Sequence, residues 1–154
     1  LTVSRENNIL IIGYGNSTRQ DDGIGVYVGE VLARELSNID VEVTQEIGPE
    51  VCEELSGYGL VFFVDAGIDQ EEDFVIRELS AKFRSTPFSH HIHPETLLAM
   101  TERLFNSLPK AYLVSIKGYR FDFGFEISQE AKINAEKAIK EMERICTNWQ
   151  LQKR

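Results

Sequence analysis

An apolar run, Ile9-Leu10-Ile11-Ile12, passes through a glycine-rich turn into apolar residues at helical spacing, Ile24, Val28, Val31, Leu32 and Leu36. A buried strand handed through glycines onto an amphipathic helix is the opening of a β-α-β unit. The turn reads Gly13-Tyr14-Gly15-Asn16-Ser17-Thr18-Arg19-Gln20-Asp21-Asp22-Gly23-Ile24-Gly25. Its backbone at Gly13, Gly15, Asn16 and Gly23 is placed to approach a ligand closely. Gly13 and Gly15 match the first two glycines of a dinucleotide fingerprint, but Thr18 holds the third position and the segment is longer than that motif allows. Asp21 and Asp22 would repel a bound pyrophosphate, so a nucleotide-binding module is the weaker reading. One aspartate can cap the following helix. The second needs another role.

The alternation continues along the chain. Residues 41–45 carry a period-two strand pattern, and 49–55 a short helix with Pro49 in its first turn. Residues 59–64, Gly59-Leu60-Val61-Phe62-Phe63-Val64, form a continuous apolar run of the kind found in central parallel strands. Residues 74–79 and 111–116 read as further strands. Pro94 opens a helix carrying Leu97, Leu98, Met100 or Thr101, Leu104 and Phe105. Ser128 caps a final helix reaching about Cys146, with Ile133, Ala138, Ile139, Met142 and Ile145 inward. These units predict a single α/β domain over residues 1–154: a three-layer sandwich with a twisted, mostly parallel sheet of about five strands and helices on both faces. Residues 147–154 are expected to fray, with Trp149 as their anchor.

With 154 residues, 42% of them hydrophobic, the chain is long enough for one sizeable core. A formal charge of -9 disfavours nucleic acid and anionic membranes as partners. No apolar run is long enough to span a bilayer and no signal-peptide core opens the chain, so a cytoplasmic protein is expected. Cys52 and Cys146 lie far apart and read as inert thiols.

In such a sheet, ligands sit beyond the carboxyl ends of the strands. The first strand leads there to Asp21 and Asp22, and the central apolar strand ends in Asp65. A strand-end acid can also cap a loop, but in this architecture it commonly faces the site. All three histidines fall in Ser89-His90-His91-Ile92-His93-Pro94, between a strand and a helix on the same expected edge. Short His-rich tracts read as metal-binding. Two carboxylates and one imidazole leave open positions on a divalent transition metal, which points to Asp22, Asp65 and one of these histidines. No His-Glu-x-x-His helix or Gly-x-Ser-x-Gly elbow is present.

Taken in order, Gly13-Tyr14-Gly15-Asn16, Asp21-Asp22-Gly23-Ile24-Gly25, Val64-Asp65-Ala66 and Ser89-His90-His91 followed by Pro94 resemble the hydrogenase maturation endopeptidase family. The likeness runs from about residue 8 to about residue 145. It implies a twisted sheet flanked by helices, and a single cut that removes the C-terminal extension of a nickel-iron hydrogenase large-subunit precursor. It also implies that nickel is carried by the precursor and recognised there, not permanently bound. By position the resemblance assigns Asp22, Asp65 and His91 as both metal-contacting and catalytic residues. Asp21, His90 and His93 are left as supporting groups. A non-catalytic nickel-binding maturation chaperone would use the same ligands.

This sequence departs from the family after the last strand. There Ser115-Ile116-Lys117-Gly118-Tyr119-Arg120 replaces a Gly-(Ile/Val)-(Glu/Gln)-Pro turn, a change expected to bear on which large subunit is accepted. Phe123-Gly124-Phe125-Glu126-Ile127-Ser128 still resembles the family's approach to the last helix. Gln45-Glu46-Ile47-Gly48-Pro49-Glu50 is similar to members serving soluble, bidirectional hydrogenases.

Overall fold

The computed structural model describes residues 8–85 and 91–153. Ser89 and His90 therefore lie outside the described residues. Five strands, β1 (Ile9–Tyr14), β2 (Asp40–Thr44), β3 (Leu60–Gly67), β4 (Phe74–Leu79) and β5 (Lys110–Lys117), form one sheet in the order β2-β1-β3-β5-β4. All neighbours are parallel except β4, which runs antiparallel to β5 at the edge. This is the three-layer α/β sandwich that the alternation predicts.

Period-two burial decides which layer each side chain joins. Ile9 and Ile11 of β1, with Leu60, Phe62 and Val64 of β3, pack on one face against α1 (Ile24–Glu35) and α4 (Gln129–Gln152). Leu10 and Ile12, with Val61 and Phe63, pack on the other face against α2 (Val51–Leu55) and α3 (Pro94–Phe105). Both faces of β1 and β3 are thus buried, which explains their unbroken apolar runs.

Helix α4 departs from the sequence reading at both ends of its apolar stripe. Its buried residues, Ala131, Asn134, Ala135, Ala138, Ile139, Met142 and Cys146, keep the helical period. Ile133 is out of phase with that stripe and is exposed. The helix also continues past Cys146 to Gln152, so the segment expected to fray forms its last turns. The Lys153 ammonium sits 4.6 Å from the centre of the Trp149 ring. In α3 the buried stripe stops at Thr101, leaving Leu104 and Phe105 of the last turn exposed.

The strand order reverses between β1 and β3. The chain leaves β1 through α1 to reach β2 on one side, then returns through α2 to place β3 on the other. The carboxyl ends of β1 and β3 flank the crevice created by that reversal, where open α/β sheets place their ligands.

Helix α1 crosses β1 and β3 in direct backbone contact. A Cβ at Gly13 would lie 2.1 Å from the Gly25 carbonyl oxygen, and one at Gly25 would lie 2.3 Å from that of Val64. The close approach permitted by Gly13 is therefore that of the protein's own helix, a correction to the expectation of ligand approach there. Gly25→Ala should lower stability by more than about 3 kcal/mol, because backbone must move to admit the methyl group. The one close contact of a Cβ at Gly29 would be the Cγ1 of Val43 at 2.7 Å, a half-exposed side chain that can rotate away, with Val41 Cγ1 and the Gly13 Cα at ordinary contact distance. Gly29→Ala should cost less than about 1 kcal/mol, since the gain in helix propensity offsets the crowding. Urea denaturation of the two variants tests the contrast.

Candidate active site

The turn after β1 is held by its own polar groups. The Asn16 side-chain oxygen accepts from the Thr18 N–H at 2.9 Å and from the Thr18 hydroxyl at 2.6 Å, an Asx-type turn. The Asn16 N–H donates at 2.8 Å to Asp22 Oδ2, and the Asp22 N–H to the Arg19 carbonyl at 3.1 Å. Asn16 thus fixes the Asp22 carboxylate through its backbone. Gly15, at φ +143, permits this bend: a Cβ there would stand 2.0 Å from the Asp22 carbonyl oxygen.

Asp21 points the other way and is fully buried. Its Oδ1 accepts the Ser128 N–H at 2.7 Å. Its Oδ2 accepts the Ser128 hydroxyl at 2.7 Å and the N–H groups of Tyr119 and Arg120 at 2.8 and 3.1 Å. Ser128 in turn caps α4 by accepting the Ala131 N–H. Asp21 therefore supports the N-terminus of α4 and does not cap α1. Burial alone would raise its pKa, but the donated bonds from Ser128, Tyr119 and Arg120 outweigh it, and the net shift is downward.

Asp65 ends the buried part of β3 and is partly buried itself. Burial pushes its carboxyl up to about 7; the Ala66 N–H, 2.8 Å from Oδ1, lowers it, and the Asp22 charge raises it further. Asp22 and Asp65 thus lie within electrostatic reach of each other, as the strand reversal requires. Tyr14 shares this environment. The parallel register Gly13↔Val64 makes Tyr14 and Asp65 the next neighbours on one face of the sheet. Burial, then the charges of Asp65 and Glu95, raise the phenol's pKa, so it remains neutral.

His91 is exposed and, with Asp22, lines a cleft of 340 Å³ shared with Asn16, Arg19, Gln45, Glu46, Ile68 and Phe121. Asp65 is not among the residues lining that cleft; its link to the site is the charge coupling with Asp22. His93 is half-buried at the entrance to α3, where its carbonyl accepts the N–H groups of Thr96 and Leu97. Glu95 is buried beside it and pairs with Arg84 at 2.7 Å and Arg77 at 3.6 Å, returning the β4–α3 connection to the sheet. Among the described residues, no three His, Cys, Asp or Glu side chains form a group able to hold a metal ion. Both cysteines are buried, and burial followed by the Glu143 charge pushes the Cys146 thiol up to about 12.

No protein-family model and no curated protein matches this chain, whereas solved structures do. The NiFe hydrogenase maturation protease HycI from Thermococcus kodakarensis matches with a TM-score of 0.72 at 24% identity, over 92% of this chain and 93% of that one. The fold is that of the hydrogenase maturation proteases. HybD from the same organism matches at 0.69 and 19% identity, over 90% and 99% of the two chains. The maturating endopeptidase HybD from E. coli matches at 0.68 and 18%, over 88% and 89%. Within this fold, Asp22 and Asp65 lie near the carboxyl ends of β1 and β3, and His91 lines the cleft with Asp22. Tyr14, Arg19, Ile68, Glu95 and Phe121 received no role from the sequence. Tyr14 and Arg19 lie inside the glycine turn itself, but only the register and the cleft reveal what they face.

The two buried aspartates should have opposite pH signatures. Asp21 has a lowered folded-state pKa, so its contribution is present above the unfolded value near 3.8 and disappears as pH falls through the folded one. Asp21→Asn should cost about 2–4 kcal/mol at pH 7, with the deficit shrinking in acid. Burial raises the Asp65 carboxyl from its ordinary value of 3.8 to about 7 in the folded protein, so stability falls as pH rises between those values. Asp65→Asn should therefore stabilise the protein by on the order of 2–4 kcal/mol at pH 8 and by almost nothing near pH 4. Denaturant titrations across pH measure both effects.

Proposed function

We propose that this protein is an endopeptidase that removes the C-terminal extension from a nickel-loaded nickel-iron hydrogenase large-subunit precursor. Nickel on the precursor serves as the recognition element. The observation that carries this reading is the placing of Asp22 and Asp65 near the carboxyl ends of β1 and β3, within electrostatic reach of each other, with His91 on the cleft that Asp22 lines, in a maturation-protease fold. Two carboxylates and an imidazole suit a divalent transition metal with positions left for substrate. No three metal-binding side chains are grouped among the described residues, so Asp22, Asp65 and His91 would come together on the metal that the precursor brings, and as a Lewis acid it can polarise the scissile carbonyl or a water.

The chain's own groups prepare that encounter. Asn16 orients the Asp22 carboxylate through its N–H. Tyr14 sets a neutral phenol beside Asp65, and the Asx turn holds the loop between β1 and α1. The Gly25 carbonyl and helix α1 fill the space over Gly13 that a phosphate cradle would need, which disfavours nucleotide binding. No helix among the described residues is long and apolar enough to cross a membrane, and processing in the cytoplasm is part of the proposal.

Mass spectrometry of precursor incubated with the protein tests the reading directly. Nickel-loaded precursor should lose its extension, and nickel-free precursor should remain intact. Stoichiometric nickel capture with no change in precursor mass would instead identify a chaperone. Asp22→Ala and His91→Ala should each reduce cleavage at least about 100-fold with the fold retained, the scale expected when a directly acting group is removed. Wild-type rates in either variant would remove that residue from the mechanism.

A further inference from the structure

The cleft contains an arginine for which neither the metal nor the carboxylates account. Arg19 is exposed on the cleft that Asp22, Glu46 and His91 also line. Its guanidinium is anchored by a neutral acceptor: Nη2 and Nε donate to the Phe121 carbonyl at 2.9 and 3.3 Å. Among the described residues it enters no ion pair, although two carboxylates share its cleft. The anchor occupies one edge of the guanidinium and leaves the Nη1 donors for another acceptor.

The backbone beneath this side chain is fixed as well. The Arg19 N–H donates to the Asn16 carbonyl at 3.0 Å, and its own carbonyl accepts from Asp22. On either side, the Gln20 N–H donates to the Gly124 carbonyl at 2.9 Å and the Gly124 N–H to the Thr18 carbonyl at 2.8 Å. Arg19 is thus held between the glycine turn and residues 118–128, a stretch that includes only the end of the Ser115–Arg120 departure from the family pattern. An arginine oriented in advance loses little further freedom on binding, and its planar fork matches a carboxylate.

We infer that Arg19 is a substrate-positioning residue that receives a carboxylate of the bound peptide, either an acidic side chain or the free C-terminus of the extension. The inference rests on the endopeptidase reading. Asp22 and Glu46 would repel the same group elsewhere in the cleft, so the Arg19 end sets the direction in which the peptide lies. Residues 118–128 then influence substrate choice indirectly, because the Phe121 carbonyl aims the guanidinium.

The test compares wild type with Arg19→Met, which keeps most of the aliphatic stem, on nickel-loaded precursor. Extensions are used with their acidic side chains intact or changed to the corresponding amides. In parallel, calorimetry measures binding of synthetic extension peptides with free or amidated C-termini. Arg19→Met should raise KM 10- to 100-fold on the carboxylate-bearing substrate with kcat within about twofold, the range of a lost charge-assisted hydrogen bond. Removing the responsible carboxylate should weaken wild-type binding to the same degree and make the enzyme indifferent to the Arg19 substitution. Whichever neutralisation does so, side chain or terminus, identifies the carboxylate. An equal loss on every substrate would reduce Arg19 to a clamp on the Phe121 loop, and a loss confined to kcat would place it at the reacting carbonyl; either overturns the inference. If wild type cleaves nothing, the endopeptidase reading fails separately. The peptide arm still decides in that case, because equal wild-type affinity for charged and neutralised peptides overturns the carboxylate role.

Discussion

The Asp21 carboxylate, fully buried among donors from Ser128, Tyr119 and Arg120, joins parts of the chain about a hundred residues apart. It ties the turn after β1 to the loop after β5 and to the cap of α4. A buried charge is tolerable only when its lone pairs are satisfied, so each donor must hold its place for the others to hold theirs. The consequence for the site is orientation. With Asp21 committed to the interior, the neighbouring Asp22 turns toward the cleft and is aimed there by Asn16. Arg19, two residues before Asp21, is set against the loop that Asp21 secures.

A second constraint comes from topology. The reversal of strand order between β1 and β3 opens a crevice at their carboxyl ends, and the backbone contact of Gly13 with Gly25 holds α1 flat against its wall. Asp22 and Asp65 therefore lie within electrostatic reach of each other although they are far apart in the sequence. Burial of Asp65, with a further push from the Asp22 charge, raises that carboxyl to about 7. Negative charge on Asp65 is consequently costly.

Much of this arrangement can be read from residue order. The apolar runs of β1 and β3 mark central strands because burial on both faces leaves no polar alternation. Ser128 marks the start of α4 because its hydroxyl can satisfy a free helix N–H. Asp22 and Asp65 fall near the carboxyl ends of β1 and β3, the edge at which parallel sheets bind ligands. Periodicity served less well where the apolar count was ambiguous. Ile133 is apolar but out of phase with the stripe through Ala131, Ala135 and Ala138, and Leu104 and Phe105 belong to a turn of α3 that remains exposed.

The sequence by itself determined the layers and a mostly parallel sheet, because both follow from local pattern and from the handedness of β-α-β connections, whereas the antiparallel run of β4 emerged only in the fold. Only the tertiary structure decided which aspartate of the pair turns inward. That depends on donors near residues 119 and 128, far away in the chain. It also decided that Gly13 accommodates the protein's own helix, since a glycine's lack of a side chain does not specify what approaches it. Arg19 acquired its place in the same way: an arginine in a turn is unremarkable until the carbonyl that aims it and the cleft it faces are brought together by the fold.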